Sequence, residues 1–204
     1  MNLDPMNKVR AVGMVIERTP SHPVLFTTGY TCRIAKHIAD RDNHFYMTGS
    51  MGLVSSIGVG IALSGGRSTV VVDGDGSLLM NPAGLITAGS MPHLPLLHIV
   101  MDDARYASTG GQQTPGAAAD FCGLARASGY HFAAEVERQA EFSAVLARLL
   151  PVLRGPSLLH CVLSAEDPPV PPRVEVDLAR HARRFGGWIR TEGSAQPNRT
   201  VTRG

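Results

Sequence analysis

The chain has 204 residues, of which 44% are hydrophobic and 18% charged, and its formal net charge is +2. That is enough for one domain with its own core, and the balance is that of a globular protein rather than a disordered one. No apolar run reaches the roughly 18–20 residues of a membrane span, the opening MNLDPMNKVR lacks a signal-peptide core, and no basic stripe is interleaved with aromatics. Neither a membrane nor nucleic acid is therefore an expected partner. Cys32, Cys122 and Cys161 are far apart, with no CxxC. They read as reduced, mostly buried thiols of a cytoplasmic protein.

Val9, Val12, Met14, Val15 and Ile16 alternate with charges and predict an amphipathic helix from about Asp4 to Arg18. His22-Pro23 leads into a short strand, Val24–Thr27, and then Thr28-Gly29-Tyr30-Thr31 opens a helix reaching about Ala39. A hydroxyl-rich turn at a helix start suits an anion, although most such threonines only cap. Phe45 to Gly52 precede a small-residue helix, Leu53–Leu63, whose Ser55, Ser56, Gly58, Gly60 and Ala62 allow close packing and make it a candidate interface. Met51 reads first as core filler.

Val70–Val72 is an apolar β-branched run, expected as a buried strand of a parallel sheet. It breaks at Asp73-Gly74-Asp75-Gly76, where glycines let the backbone turn and approach a ligand. A helix over Asn81–Met91 and a strand over Leu96–Met101 follow, the strand ending in Asp102 and Asp103. In such a crossover both carboxylate groups emerge at the carboxyl edge of the sheet, where open α/β sheets bind ligands. Two carboxylates there suit a hard cation such as Mg²⁺ shared with ligand phosphates. The competing reading is that Asp75 and Asp103 only end strands and cap helices.

Ser108–Gln113 is a polar, glycine-bearing loop placed to cover a ligand. Helices over Ala117–Ser128 and Glu141–Leu153 alternate with strands over His131–Val136 and Ser157–Leu163. The expected fold is α/β, a doubly wound, mostly parallel sheet with helices on both faces, spanning residues 1–166. Residues 167–204 are expected to be separate: a Pro-rich linker, Asp167–Pro172, a short amphipathic helix around Val174–Phe185 that packs on a neighbour, and a disordered tail, Thr191–Gly204.

The stretches TTGYTCR, GSMG, VVDGDGSLLMN and MDDARYASTGGQ, in this order, resemble the diphosphate-binding (PP) domain of thiamin-diphosphate-dependent decarboxylases. The likeness runs over roughly residues 8–166 and is to phosphonopyruvate decarboxylase and the sulfopyruvate decarboxylase β subunit. It implies thiamin diphosphate and Mg²⁺ as cofactors. The metal would be held by Asp75, Asp103 and the main-chain carbonyl of Arg105. Asp103 stands where the family usually has Asn, which adds a negative charge beside a diphosphate unless a cation offsets it. Thr28, Gly29, Gly74, Gly76 and Ser77 would lie near the diphosphate, while Ser50, Ala107, Ser108 and Thr109 would complete the cofactor site. Met51 would support the bent cofactor rings, and the Gly49 carbonyl would accept from the aminopyrimidine. Ser108–Gln112 would border the substrate.

The implied reaction is decarboxylation of a small 2-oxo acid, the product being either protonated or captured by an acceptor. A second anionic group on the substrate would want a cation, and Arg105, Arg33 and Lys36 are candidates, each with a solvated-charge alternative. The family's activating glutamate sits on a separate pyrimidine-binding domain. None of Glu17, Glu135, Glu137, Glu141, Glu166 or Glu175 lies in a matching motif, and the residues before Gly74 are taken up by the PP domain's own elements. The expectation is half an enzyme, completed by a separately encoded PYR-domain (α) subunit in an αβ hetero-oligomer. Two alternatives remain: a non-catalytic scaffold with a degenerate metal site, and a dinucleotide-binding oxidoreductase. The latter lacks a GxGxxG after its first strand.

Overall fold

The computed structural model describes residues 5–65, 67–164, 169 and 171–193. In chain order the elements are α1 (Lys8–Arg18), β1 (Val24–Phe26), α2 (Tyr30–Ile38), β2 (His44–Tyr46), α3 (Val54–Gly65) and β3 (Thr69–Gly74). Then come α4 (Asp75–Met80), α5 (Ala83–Gly89), β4 (Leu96–Asp102), β5 (Arg105–Tyr106), β6 (Gln112–Gln113) and a 3-10 turn at Pro115–Ala118. The chain continues through α6 (Phe121–Ala127), β7 (Phe132–Val136), α7 (Gln139–Leu149), β8 (Ser157–Val162) and α8 (Leu178–Gly193).

Alternation along the central strands sorts the core into two halves. Val70, Val72, Leu97, Ile99 and Met101 share one face with residues of α1, α2 and α7. Val71, Leu96 and Val100 share the other with residues of α3, α5 and α6. All these strand residues are fully buried, as a sheet covered on both faces requires. The six strands are ordered β2-β1-β3-β4-β8-β7 and every pair is parallel. The sheet is the expected doubly wound one, and its order reverses between β1 and β3. Ligands of such sheets bind outside the carboxyl ends of the strands at that reversal.

The small residues of α3 bring it against the sheet and a neighbouring helix. A Cβ on Gly58 would collide with Val71, and one on Gly84 of α5 would stand 2.5 Å from Ser55 Oγ.

Four elements differ from expectation. The helix expected over Asn81–Met91 is the shorter α5, Ala83–Gly89, and an additional short helix, α4, precedes it, with Pro82, which cannot donate, between the two. The segment Asp73–Gly76 is not a free turn, since β3 continues to Gly74 and α4 begins at Asp75. Within the loop Ser108–Gln113, Gln112 and Gln113 pair antiparallel with Arg105 and Tyr106. Finally, α8 runs to Gly193 and packs on this chain's own sheet edge at β2 rather than on a neighbour, with Phe185 buried in the second core half. Asp4, the boundary at residues 166–167, linker residues 167, 168 and 170, and the tail beyond residue 193 lie outside the described residues.

Candidate functional site

Three strand ends build one cleft at the carboxyl edge. After β1 come Thr27, Thr28 and Gly29, the last with φ 101°, a conformation glycine adopts without strain. After β3, Gly74 is the N-cap of α4, so Asp75, Gly76 and Ser77 form a first helical turn with backbone N–H groups that have no intrahelical partner. β4 ends at Asp102, and Asp103, Ala104 with φ 56° and Arg105 follow. The Asp102 carboxylate accepts from Ala104 N at 2.9 Å and so holds this left-handed turn.

The loops are tied together. Thr27 Oγ1 and Ser77 Oγ share a hydrogen bond of 2.9 Å, and Gly52 N donates to Ser77 Oγ at 3.1 Å. Asn81 Nδ2 donates to Gly52 O at 3.1 Å. These contacts join the segment carrying Met51 to the start of α4. A Cβ on Gly76 would collide with the Tyr106 ring, and one on Gly29 would stand 3.0 Å from Ser108 Oγ. The glycines therefore set how closely the β5 turn closes over α4.

Of the residues singled out from the sequence, Thr28, Met51, Gly74, Asp75, Gly76, Ser77, Asp103, Arg105, Ala107 and Ser108 line this cleft. Gly29 and Thr109 line an adjoining hollow that shares Thr28 and Ser108 with it and also includes Arg33. Gly49 and Ser50 are exposed on the turn before Met51 and line neither; Ser50 has φ 54°. Lys36 lines neither hollow.

Residues not legible as site residues also enter. Lys8 of α1 reaches across and donates from Nζ to Asp103 Oδ2 at 2.7 Å. Thr114 Oγ1 donates to Asp75 Oδ2 in a short hydrogen bond. Tyr106 lines the cleft. Behind it, His160 bridges Asp102 at 2.8 Å and Glu135 at 2.9 Å. No local pattern marks Lys8, Thr114 or His160, because each arrives from a distant element, whereas Tyr106 lies beside Arg105 on β5.

Charge is concentrated here. Burial, with the nearby charges of Asp102 and Asp103, pushes the Asp75 carboxyl up to about 6, although the Thr114 hydrogen bond opposes it. Burial also acts to raise Asp102, but hydrogen bonding and attraction from His160 outweigh that and hold it below its ordinary value. His160 is raised in turn: burial opposes its charged form, and the two carboxylates more than compensate. Among the described residues no group of three or more His, Cys, Asp or Glu side chains is arranged to hold a metal by itself. Two carboxylates in one cleft nevertheless offer oxygen ligands to a hard cation, and the open helix N–H groups beside them offer donors to phosphate. That is what a Mg²⁺–diphosphate unit requires, since phosphate and water oxygens supply the remaining ligands.

Comparisons with known proteins show the family. Residues 27–161 match the family described as thiamine pyrophosphate enzyme, C-terminal TPP binding domain. Phosphonopyruvate decarboxylase of Streptomyces viridochromogenes is 39% identical over 176 residues, covering 85% of this chain and 44% of its own. Sulfopyruvate decarboxylase subunit beta of Methanothermobacter thermautotrophicus is 33% identical over 180 residues, covering 88% of this chain and 94% of its own. The chain thus spans less than half the length of the first relative and nearly all of the second. Among solved structures, benzoylformate decarboxylase from Polynucleobacter necessarius superposes with a TM-score of 0.63 at 17% identity, over 78% of this chain and 33% of its own. That likeness is one of fold.

Proposed function

Because this chain belongs to the thiamine pyrophosphate enzyme family, as its C-terminal TPP-binding domain, we propose that it is the PP-domain subunit of a split, thiamin-diphosphate-dependent decarboxylase of small 2-oxo acids. The observation that carries this reading is the convergence of Asp75, Asp103 and Arg105 on the cleft that also holds Thr28, Gly76 and Ser77. Asp75, Asp103 and the Arg105 carbonyl hold Mg²⁺. The α4 N–H groups, Ser77 and Thr28 receive the diphosphate. Met51 would support the cofactor rings from the cleft wall, with Ala107 in the same cleft and Thr109 in the adjoining hollow, while the Gly49 carbonyl and Ser50, on the exposed turn before Met51, would complete the site.

When bound, the cofactor supplies the electron sink that lets CO₂ leave a 2-oxo acid. The chain's own part is to fix that cofactor in place, close the β5 turn over it, and keep two carboxylates on the metal. Ser108–Gln112 would border the substrate, and Arg105 in the cleft and Arg33 in the adjoining hollow are candidate cations for the phosphonate or sulfonate of such a 2-oxo acid.

Partner dependence rests on the relative named subunit beta, nearly all of whose length this chain matches. The activating glutamate comes from a separately encoded PYR-domain subunit in an αβ hetero-oligomer. Three free, buried cysteines suit a reducing, cytoplasmic setting, and no helix among the described residues is long and apolar enough to cross a membrane.

The test is a calorimetric titration of thiamin diphosphate with Mg²⁺ into the chain alone and into its complex with a PYR-domain subunit, followed by a 2-oxo acid screen. Metal-dependent binding and CO₂ release in the complex are expected. Robust decarboxylation by the chain alone would sink the split reading. A stable complex without cofactor binding would favour the non-catalytic scaffold, the reading that the crowded carboxylates Asp75, Asp102 and Asp103 keep in play.

A further inference from the structure

Three carboxylates converge where this cleft is assigned a diphosphate. Asp102 is engaged from behind by His160 and by the Ala104 N–H, and it does not line the cleft. Asp75 and Asp103 do. Each uncompensated negative charge beside a diphosphate opposes binding, more strongly where water is partly excluded.

Asp103 has a cation brought to it from the other end of the chain. Lys8 Nζ lies 2.7 Å from Oδ2, and the two side chains are only 11% and 10% exposed. Arg105 Nε stands 3.9 Å from the same oxygen. Lys8 is not placed like the other charges of α1: Arg10, Glu17 and Arg18 are exposed, whereas the Lys8 side chain is largely buried and lines the cleft. Lysine is seldom buried unless it is paired. The helix that carries it cannot drift, because Ala11, Val12, Val15 and Ile16 are locked in the core.

We propose that Lys8 is the charge partner that turns Asp103 into a neutral oxygen donor for the metal. With Oδ2 held by the ammonium, Asp103 offers the cleft one oxygen and no net charge, the same donor that a carboxamide would offer. The pair fixes the side chain's orientation as well, so the metal turn is preorganised before cofactor arrives. Lys8 is thus a positioning residue that acts through Asp103. The proposal rests on the cofactor reading above and adds to it a residue that the cofactor-binding motifs do not include.

A double-mutant cycle tests it on the full chain in complex with its PYR-domain partner. Thiamin diphosphate affinity at fixed Mg²⁺ is read by calorimetry, and Mn²⁺ binding by electron paramagnetic resonance. Lys8→Met leaves Asp103 charged with only the more distant Arg105 guanidinium beside it, and is expected to weaken cofactor binding by at least about tenfold. Asp103→Asn is expected to keep or tighten it, because the lysine then faces the diphosphate unpaired. Lys8→Met with Asp103→Asn is expected to return to within about threefold of the unsubstituted chain, since an amide needs no counter-charge. Lys8→Arg, which keeps the charge and the helix, is expected to retain affinity. The proposal fails alone if the unsubstituted complex binds and Lys8→Met has no effect. It fails alone equally if Lys8→Met costs as much in the Asp103→Asn background as it does with Asp103 in place. If the unsubstituted complex binds no cofactor at any Mg²⁺ concentration, the functional reading fails and takes the proposal with it.

Discussion

At the scale of single residues, the cleft gathers carboxylates that repel one another until a cation joins them. Asp75 is 3% exposed, and its carboxyl is pushed up to about 6 by burial and by neighbouring carboxylates. An acid raised in the folded state contributes stability that is fully present below its unfolded value and lost as pH rises through about 6. At neutral pH the metal-free chain therefore carries a strained charge. Asp75→Asn is expected to raise metal-free stability at pH 7.5 by about 1–3 kcal/mol in urea unfolding, because Thr114 can still donate to the amide oxygen. The same substitution should abolish Mg²⁺-dependent cofactor binding. A loss of stability would show that Asp75 is already compensated without metal. Asp75 could be found from the sequence because glycines flank it at a strand end. Thr114, 39 residues away, and Lys8, 95 residues from Asp103, could not, because their contacts exist only once the strands are parallel.

At the scale of elements, α8 solves an edge problem. β2 is an edge strand, and its outward Tyr46 N–H would pair with any passing strand. Instead it donates to His181 Nε2 at 3.0 Å, and the His181 ring stacks on Phe45 at 5.0 Å and Tyr46 at 5.3 Å between ring centroids. The imidazole can accept only when neutral. Burial, helped by the Arg184 charge, lowers its pKa and keeps it so. A histidine lowered on folding contributes stability fully present above its unfolded value and lost as pH falls from there through its folded value. His181→Phe keeps the stack and removes the acceptor. It should cost about 1–3 kcal/mol at pH 7.5, the price of a buried N–H left unpaired, with little further loss at pH 5. Hydrogen exchange at Tyr46 should speed up in that variant; unchanged exchange would mean that α8 shields the edge by stacking alone. The amphipathic stripe of α8 was legible, but its target was not, since an apolar stripe fits its own sheet and a foreign surface equally well.

At the scale of the whole molecule, buried histidines set the response to acid. Burial lowers His44 to about 4, and His22 and His181 are also lowered. His160 is shifted the other way, between Asp102 and Glu135. Three neutral imidazoles against one favoured imidazolium and the favoured acid form of Asp75 still predict that stability falls as pH drops from about 6.5 toward 4. His44 is fully buried and should account for up to one proton of that slope, about 1.4 kcal/mol per pH unit. His44→Phe is a clean probe, because Tyr46 Oη still donates to Ala39 O at 3.1 Å when the ring is replaced. Urea unfolding at pH 4.5, 5.5 and 7 should show a slope shallower by about one proton in this variant. An unchanged slope would assign the acid response to other groups.

What the sequence determined by itself is the alternation of strands and helices, the parallel sheet and the two acid-bearing strand ends. Those follow from local periodicity and from glycines where the chain must turn: Val70–Val72 and Leu96–Met101 are apolar on both faces, so both faces had to be covered. Only the tertiary structure decided how the acids are neutralised and where the last helix goes. Whether Asp103 is a stray charge or half of a pair depends on where α1 lies, and Val12 and Val15 settle that by packing on a sheet formed mainly from later parts of the chain. Local pattern decides what an element is; long-range packing decides which charged side chain its ends will meet.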